Sequence, residues 1–267
     1  MSDEHKDDPA VAASTRRAKE ALPPEAAYAA AARRHDYLLT LVHEFRNPLA
    51  ALAGAVDILQ DELRPQLDPK KREFFDIAES SLARLNQMLD EMLELTALEG
   101  HDIELNYELT DVAALCRDVV AEYGPRAEVA SVKLNPVEVE GNVPKAECDP
   151  ELITRVVANL ISNAVKYNKT GGDVTVRLSA DGGKIKVAVA DAGTGIPEED
   201  FPKVFTRFYR APEARQRGVI GTGLGLAIAK NIVDLHGGEI SFTSRVGLGS
   251  TFWFTIPVKK ASHEGDK

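Results

Sequence analysis

The sequence predicts an α+β protein in two parts: an antiparallel helical hairpin that pairs into a dimeric four-helix bundle, then an α/β sandwich. Three observations lead there. A heptad-like apolar seam runs through the first part, strands alternating at period two fill the second, and glycine-rich segments stand at a strand end and at a helix entry. A length of 267 residues suits about two domains, each with its own core. Hydrophobic content of 44% and charged content of 28% are those of a globular chain.

Residues 1–24 are polar and charged, closed by Pro23-Pro24, and read as a disordered leader. The hairpin is expected over 25–100. Its first helix carries Leu38, Val42, Phe45, Leu49, Leu52, Val56, Leu59 and Leu63, spaced 4, 3, 4, 3, 4, 3, 4, and Tyr28, Ala31 and His35 extend the seam backwards. Pro48 is expected to interrupt and bend it, because proline lacks the amide N–H and crowds the preceding turn. Arg64 to Pro69 reads as the connection. The second helix carries Phe75, Ala78, Leu82, Leu85, Leu89 and Met92 and ends near Gly100. Two such helices leave a long apolar stripe uncovered, and dimerisation covers it. Packing of the hairpin on its own chain's second domain is the alternative.

A linker over 101–106 leads to a domain over 107–258, with a polar tail over 259–267. The patterns predict a helix from Glu108 to Glu122 and a strand from Lys133 to Glu140. Asp149 caps a helix entered through Pro150 and running to about Tyr167. Val174–Leu178 and Lys184–Asp191 alternate as strands around the turn Asp181-Gly182-Gly183. A helix from Leu224 to His236 and a hairpin, Glu239–Ser244 with Ser250–Pro257, complete a sheet covered by helices on one face.

Bulk properties narrow the function. A net charge of −10 argues against a general nucleic-acid binder. No apolar run of about 18 residues and no secretory leader is present, so the chain is expected to be cytoplasmic without membrane contact. Cys116 and Cys148 lack metal or redox spacing and read as buried free thiols.

Several clusters carry chemistry. His43-Glu44-Phe45-Arg46-Asn47-Pro48-Leu49 places an imidazole, a carboxylate and an amide at the edge of the seam. Near neutral pH an ordinary imidazole, with a pKa of about 6.5, is largely neutral and has a lone pair to offer. Asn159 and Asn163, four apart, share a helix face with Lys166 and Tyr167 one turn on. That set can hold a metal–triphosphate and cover a planar base, although alone it reads more readily as a polar helix face with a capping lysine. Asp191 ends a strand, and Gly193 and Gly195 after it let backbone approach a ligand or simply make a tight turn. Gly221, Gly223 and Gly225 precede a helix N-terminus, where N–H groups and the dipole favour an anion. Leu226 excludes the dinucleotide fingerprint, and no Gly-Lys-Ser/Thr follows as a P-loop requires. Between the glycine clusters, Phe205, Arg207, Phe208, Arg210, Arg215 and Arg217 read as a mobile basic lid anchored by aromatics. Of the remaining histidines, His35 reads as a packed seam residue and His236 as a partly charged imidazole at a helix C-terminus.

In combination these motifs resemble the sensor histidine kinase family of two-component systems. The heptapeptide at His43 is similar to its phospho-acceptor box, and Asn159 to Tyr167 to its asparagine box. Asp191 to Gly195, Phe205 to Phe208 and Gly221 to Gly225 are similar to its remaining boxes, in order, and the resemblance covers roughly residues 30–258. It implies an ATP-binding sandwich shared with gyrase and heat-shock chaperones behind the dimerisation hairpin. It also implies that Asn163 holds Mg²⁺ with Asn159 completing that face, that Lys166 contacts phosphate, and that Tyr167 lies on the nucleotide. Asp191 would accept from the adenine amino group, Gly193 and Gly195 would admit the base, and Gly221, Gly223 and Gly225 would let the lid close. Arg210 would reach the γ-phosphate. His43 would attack that phosphorus with Glu44 handling the imidazole proton, then pass the phosphoryl group to an aspartate of a response regulator. Asn47 resembles the amide that orients water for dephosphorylating that regulator. The alternatives are a catalytically inactive, kinase-like dimeric scaffold that binds a regulator, and an ATPase of the mismatch-repair or chaperone type. The histidine-bearing hairpin over residues 35–99 speaks against the second.

Overall fold

The computed structural model describes residues 24–63, 68–99, 104–211 and 221–259. The predicted leader, the connection Arg64–Leu67, Arg215, Arg217 and most of the tail lie outside them. So do the side chains of residues 24–39 and of His43, whose backbone is helical.

Helix α1 (Pro24–Leu63) and helix α2 (Pro69–Glu99) form the hairpin. Pro48 lies inside α1 and does not interrupt it. A proline costs an internal helix one amide bond, whereas the turns on either side keep theirs. Asp68 starts α2, its side chain accepting from Lys71 N–H at 2.9 Å with Pro69 as the first helical residue. The α1 seam divides at seven-residue intervals. Val42 is buried, and Leu49 and Val56 are half-buried, whereas Phe45 and Leu52 are each 55% exposed and Leu59 is exposed with them. Phe74, Ile77 and Leu85 extend this open apolar face on α2. One stripe therefore closes the hairpin and a second remains for another surface.

The second part begins with β1 (Glu108–Thr110) and α3 (Val112–Val129), followed by β2 (Lys133–Leu134), β3 (Glu138–Glu140), β4 (Ala146–Cys148) and α4 (Pro150–Lys166). Strands β5 (Asp173–Asp181) and β6 (Lys184–Asp191) come next. A 3₁₀ turn (Glu198–Lys203), α5 (Gly225–Leu235), β7 (Glu239–Arg245) and β8 (Gly249–Pro257) complete it. The main sheet has the order β2-β5-β6-β8-β7 with β3 also paired to β5; β1 and β4 form a separate antiparallel pair. Along β5, β6 and β8 alternate residues are buried: Val176 and Leu178, Val187 and Val189, Phe254 and Ile256. They meet Ile153, Leu160 and Ile161 of α4 and Ile228 and Ile232 of α5 in one core. The opposite face is open, and there the Lys186 ammonium sits 4.5 Å from the centre of the Trp253 ring.

Two predicted elements differ. The helix expected from Glu108 begins only at Val112, because Glu108–Thr110 pairs with β4 and Asp111 caps α3 by accepting from Ala114 N–H at 2.9 Å. It then runs past Gly124 and Pro125 to Val129, where Val119 and Ala127, eight apart, hold the same buried face. The strand expected over Lys133–Glu140 is two short strands, both parallel to β5. Pro136 lies between them, and a proline has no N–H for a ladder.

The hairpin also packs on its own chain. Leu95 and Leu98 near the end of α2 belong to the second domain's core. Arg155 on α4 pairs with Glu94 at 2.6 Å, and Arg207 pairs with Glu99. The packing given above as the alternative is thus present in the lower half of α2, while the upper half of the hairpin leaves an apolar face open.

His236 is a correction of a different kind. It is 2% exposed, and burial pushes its pKa below the ordinary value against smaller opposing effects of Ile232 and Asp149. Its Nε2 accepts from Asp149 N–H at 3.1 Å while Nδ1 donates to Ile232 C=O at 2.7 Å. The ring is a neutral bridge between α5 and the start of α4, not a partly charged cap. Both cysteines are buried free thiols, and burial raises Cys116 to about 12. The unfolded chain takes up a proton at His236 more readily than the folded one, so this group costs stability as pH falls below about 6.5. Urea midpoints followed from pH 7 to pH 5 are expected to fall less steeply in His236→Gln than in the parent, from a lower starting value.

Candidate active site

The site is built outward from α4. Asp149 caps it, accepting from Leu152 N–H at 3.1 Å, and Pro150 enters it. Ile153, Val156, Val157, Leu160 and Ile161 then turn one side into the core. The other side necessarily presents Asn159, Asn163 and Lys166, with Tyr167 as the C-terminal cap.

Two cavities meet along this face. The smaller, of about 170 Å³, is lined by Asn163, Lys166, Tyr167, Asp191, Gly195 and Arg210, with Ile196 and Leu226 supplying apolar wall. The larger, of about 760 Å³, shares Asn163, Lys166 and Tyr167 and adds Asn159 and the loop Gly221–Gly225. Its far wall is α2, through Gln87, Asp90 and Glu91. Two cavities sharing one helix face suit a base followed by a chain of phosphates.

Asp191 ends β6, and its Oδ1 accepts from Gly193 N–H at 2.8 Å and Ser250 N–H at 3.2 Å. Both bonds land on one oxygen, which leaves Oδ2 to the cavity that Asp191 lines. Burial raises its pKa, and the two amide donors oppose that shift. Gly193 is required by contact: a Cβ there would stand 2.4 Å from Tyr167 O. Gly195 is required twice over, with φ of +71° and a Cβ position 2.1 Å from Arg245 O.

The glycine-rich loop is pinned from two sides. Asn159 Nδ2 donates to Gly225 C=O at 3.1 Å, so this amide secures the loop to α4. From α2, Arg84 donates to Gly221 C=O at 3.2 Å, and Glu91 accepts from the Thr222 hydroxyl. Desolvation lowers the pKa of Lys166; Glu91 opposes that shift and Arg126 and Arg210 add to it. Arg210 thus stands close enough to Lys166 to be felt electrostatically. Phe205 of the expected lid packs edge-on against Phe242, 5.8 Å between centroids.

On the hairpin, Glu44, Arg46 and Asn47 are exposed, and Arg46 pairs with Asp90 of α2 at 2.5 Å. Asp90 lines the larger cavity, so Arg46, one helical turn past His43, reaches that cavity through an ion pair. Sequence reasoning missed Arg84, Glu91 and Thr222. The signal was present: Arg84, Met88, Glu91, Leu95 and Leu98, spaced 4, 3, 4, 3, form a second stripe on α2, with two charges inside an apolar pattern.

An ATP-type cavity walled on one side by a helical hairpin defines the class of a histidine kinase core. Residues 33–101 match the family of His Kinase A (phospho-acceptor) domains, and residues 148–260 match histidine kinase-, DNA gyrase B-, and HSP90-like ATPases. The chain belongs to the sensor histidine kinase family. It is 33% identical over 228 residues to the sensor-like histidine kinase SenX3 of Mycolicibacterium smegmatis, covering 85% of this chain and 58% of the relative. It is 32% identical over 237 residues to the sensor histidine kinase WalK of Bacillus subtilis, covering 86% and 38%. The chain thus spans only part of the length of these relatives. Among solved structures, full-length ShkA in complex with AMPPNP superposes with a TM-score of 0.69 at 28% identity, over 85% of this chain and 47% of that one.

Gly195→Ala is expected to lower the unfolding free energy by about 1–3 kcal/mol, the scale of local backbone strain. Gly221→Ala, whose added Cβ meets nothing nearer than Tyr167 Oη at 3.8 Å, is expected to stay within about 0.5 kcal/mol. Denaturant titration of both variants checks the contrast.

Proposed function

We propose that this chain is an ATP-dependent protein histidine kinase that phosphorylates His43 and passes the phosphoryl group to an aspartate of a response regulator. The observation that carries this is the larger cavity itself. One wall holds Asn163 and Lys166, the opposite wall holds Asp90, and Asp90 is bonded to Arg46, one helical turn from His43. That ion pair supports a reading in which the helical turn of His43 serves the chamber where a phosphate donor would bind. ShkA, a related kinase solved with AMPPNP, supports a nucleotide in it.

The roles follow from chemistry. Asp191 accepts from the exocyclic amino group of adenine, which favours ATP over GTP because guanine presents a carbonyl there. Gly193 and Gly195 let the base lie against backbone, and Tyr167 covers it. Gly221, Gly223 and Gly225 shape the loop around the phosphates, while Lys166 and Arg210 neutralise their charge. Asn163 lines both cavities, and its amide oxygen would hold a Mg²⁺ ion, which takes few protein oxygens and would supply further neutralisation of the phosphates. The His43 imidazole lone pair attacks the γ-phosphorus in line as ADP leaves, and Glu44 takes or orients the proton on the other ring nitrogen.

The exposed face of Phe45, Leu52 and Leu59 pairs with a second copy to make a four-helix bundle, so the working unit is a homodimer. Its domains are the hairpin over 25–100 and the ATP-binding domain over 107–258, acting in the cytoplasm without nucleic acid or membrane contact. Asn47, exposed one turn past His43, orients a water that dephosphorylates the regulator.

Incubation with γ-labelled ATP and Mg²⁺ is expected to give acid-labile, base-stable label in the parent and none in His43→Ala. Label persisting in His43→Ala refutes the nucleophile. Asn47→Ala is expected to keep autophosphorylation and to lose dephosphorylation of the regulator; unchanged phosphatase activity removes that role.

A further inference from the structure

One carboxylate of the hairpin enters the phosphate chamber. Glu91 on α2 is 6% exposed, an uncommon place for an acid, and among the described residues no cation lies in hydrogen-bonding contact with it. Its carboxylate accepts from the Thr222 hydroxyl in the centre of the glycine-rich loop and from Gln87 Nε2 at 2.6 Å. It stands close enough to Lys166 to favour the charged ammonium. Thr222 in turn accepts from Leu224 N–H at 3.3 Å, at the entry to α5. Arg84, two turns earlier on α2, holds the same loop through Gly221 C=O.

A hydroxyl in a glycine loop, a helix entry and a lysine across the chamber are the groups that receive a nucleotide's phosphates. In this structure they surround a carboxylate belonging to the neighbouring domain. We propose that Glu91 is a tethered stand-in for phosphate, competing with the β- and γ-phosphates of the nucleotide for Thr222 and Lys166. This rests on the ATP-binding function proposed above and adds a regulatory contact to it. The consequence is reciprocal coupling: docking of α2 on the loop weakens nucleotide binding, and bound triphosphate expels Glu91 and loosens that docking.

The geometry separates this from a merely structural role. The base cavity, with Asp191 at its end, does not include Glu91, whereas the phosphate chamber does. A competitor for phosphate must therefore discriminate between ligands that differ only in their phosphates.

The test uses the full chain and its Glu91→Gln variant, which keeps side-chain shape and a hydrogen-bonding oxygen but removes the charge. Titrations with ATP and with adenosine, each read by calorimetry, are run on both proteins, with matching circular dichroism as the check on folding. The expected result is ATP binding about tenfold tighter in Glu91→Gln, within the usual range of coupling between sites, with adenosine affinity unchanged within about twofold. ATP binding by the variant alone also supports the tethered carboxylate. Equal or weaker ATP binding by the variant overturns it, and so does equal tightening of ATP and adenosine, which would mean a general opening of the chamber. If neither protein binds ATP, the nucleotide function falls and this inference falls with it. Should Glu91→Gln fail to fold, Glu91→Ala provides the second variant, read in the same way: tighter ATP binding at unchanged adenosine affinity supports the proposal, and equal or weaker ATP binding overturns it.

Discussion

Helix α4 is the constraint from which the rest of the site hangs. Its apolar side is fixed in the core by Ile153, Leu160 and Ile161, and its start is fixed by Asp149 and His236. With rotation and register both set, the polar side is set as well. Asn159 then holds the glycine loop, Tyr167 O receives Thr194 N–H at 3.2 Å and limits residue 193 to glycine, and Arg155 receives Glu94 from the hairpin. Three walls of the chamber are thus referred to one helix. The stabilising side and the chemical side of α4 are two faces of a single periodic pattern.

The buried polar contacts around this helix are short-range and mutually dependent. Asp149 serves α4 through Leu152 and the linker through Asn106 N–H at 3.0 Å, while its own N–H is taken by His236. Such a network is stable only when complete, because each lost partner leaves a desolvated group behind. Its position at the joint between linker, α4 and α5 places rigidity where the hairpin and the nucleotide domain meet.

Much of this was legible in the sequence because the signals were local. The cap Asp149-Pro150, the turn at Gly182-Gly183 and the glycine spacings each act within a few residues, and the elements they mark fall where expected. What was not legible depended on distant pairing. Glu108–Thr110 carries a helical pattern but finds β4 about forty residues away, and Asn135-Pro136-Val137 breaks a strand whose two halves still align on β5. In the site, Asp191, Asn159 and Asn163 line the cavities to which their motifs pointed. The bond from Asn159 Nδ2 to Gly225 C=O was not foreseen; a side chain's partner across 66 residues has no trace in local spacing. Arg84 and Glu91 left a trace, but it lay beneath the stronger stripe of Phe75 to Met92 on the same helix.

Those two stripes make α2 a timing element in the sense of a cam. The stripe from Phe75 to Met92 and the stripe from Arg84 to Leu98 lie at different angles on one continuous helix. Each inserted residue turns everything after it by about 100° and advances it by about 1.5 Å. A single insertion above Arg84 would turn Glu91, Leu95, Leu98 and the domain docked on them relative to α1 and the start of α2. Seven inserted residues would nearly restore the angle yet move that domain by about 10 Å along the helix. The length of α2 between its two stripes is therefore as tightly specified as any side chain in the chamber, although no individual residue there reveals it.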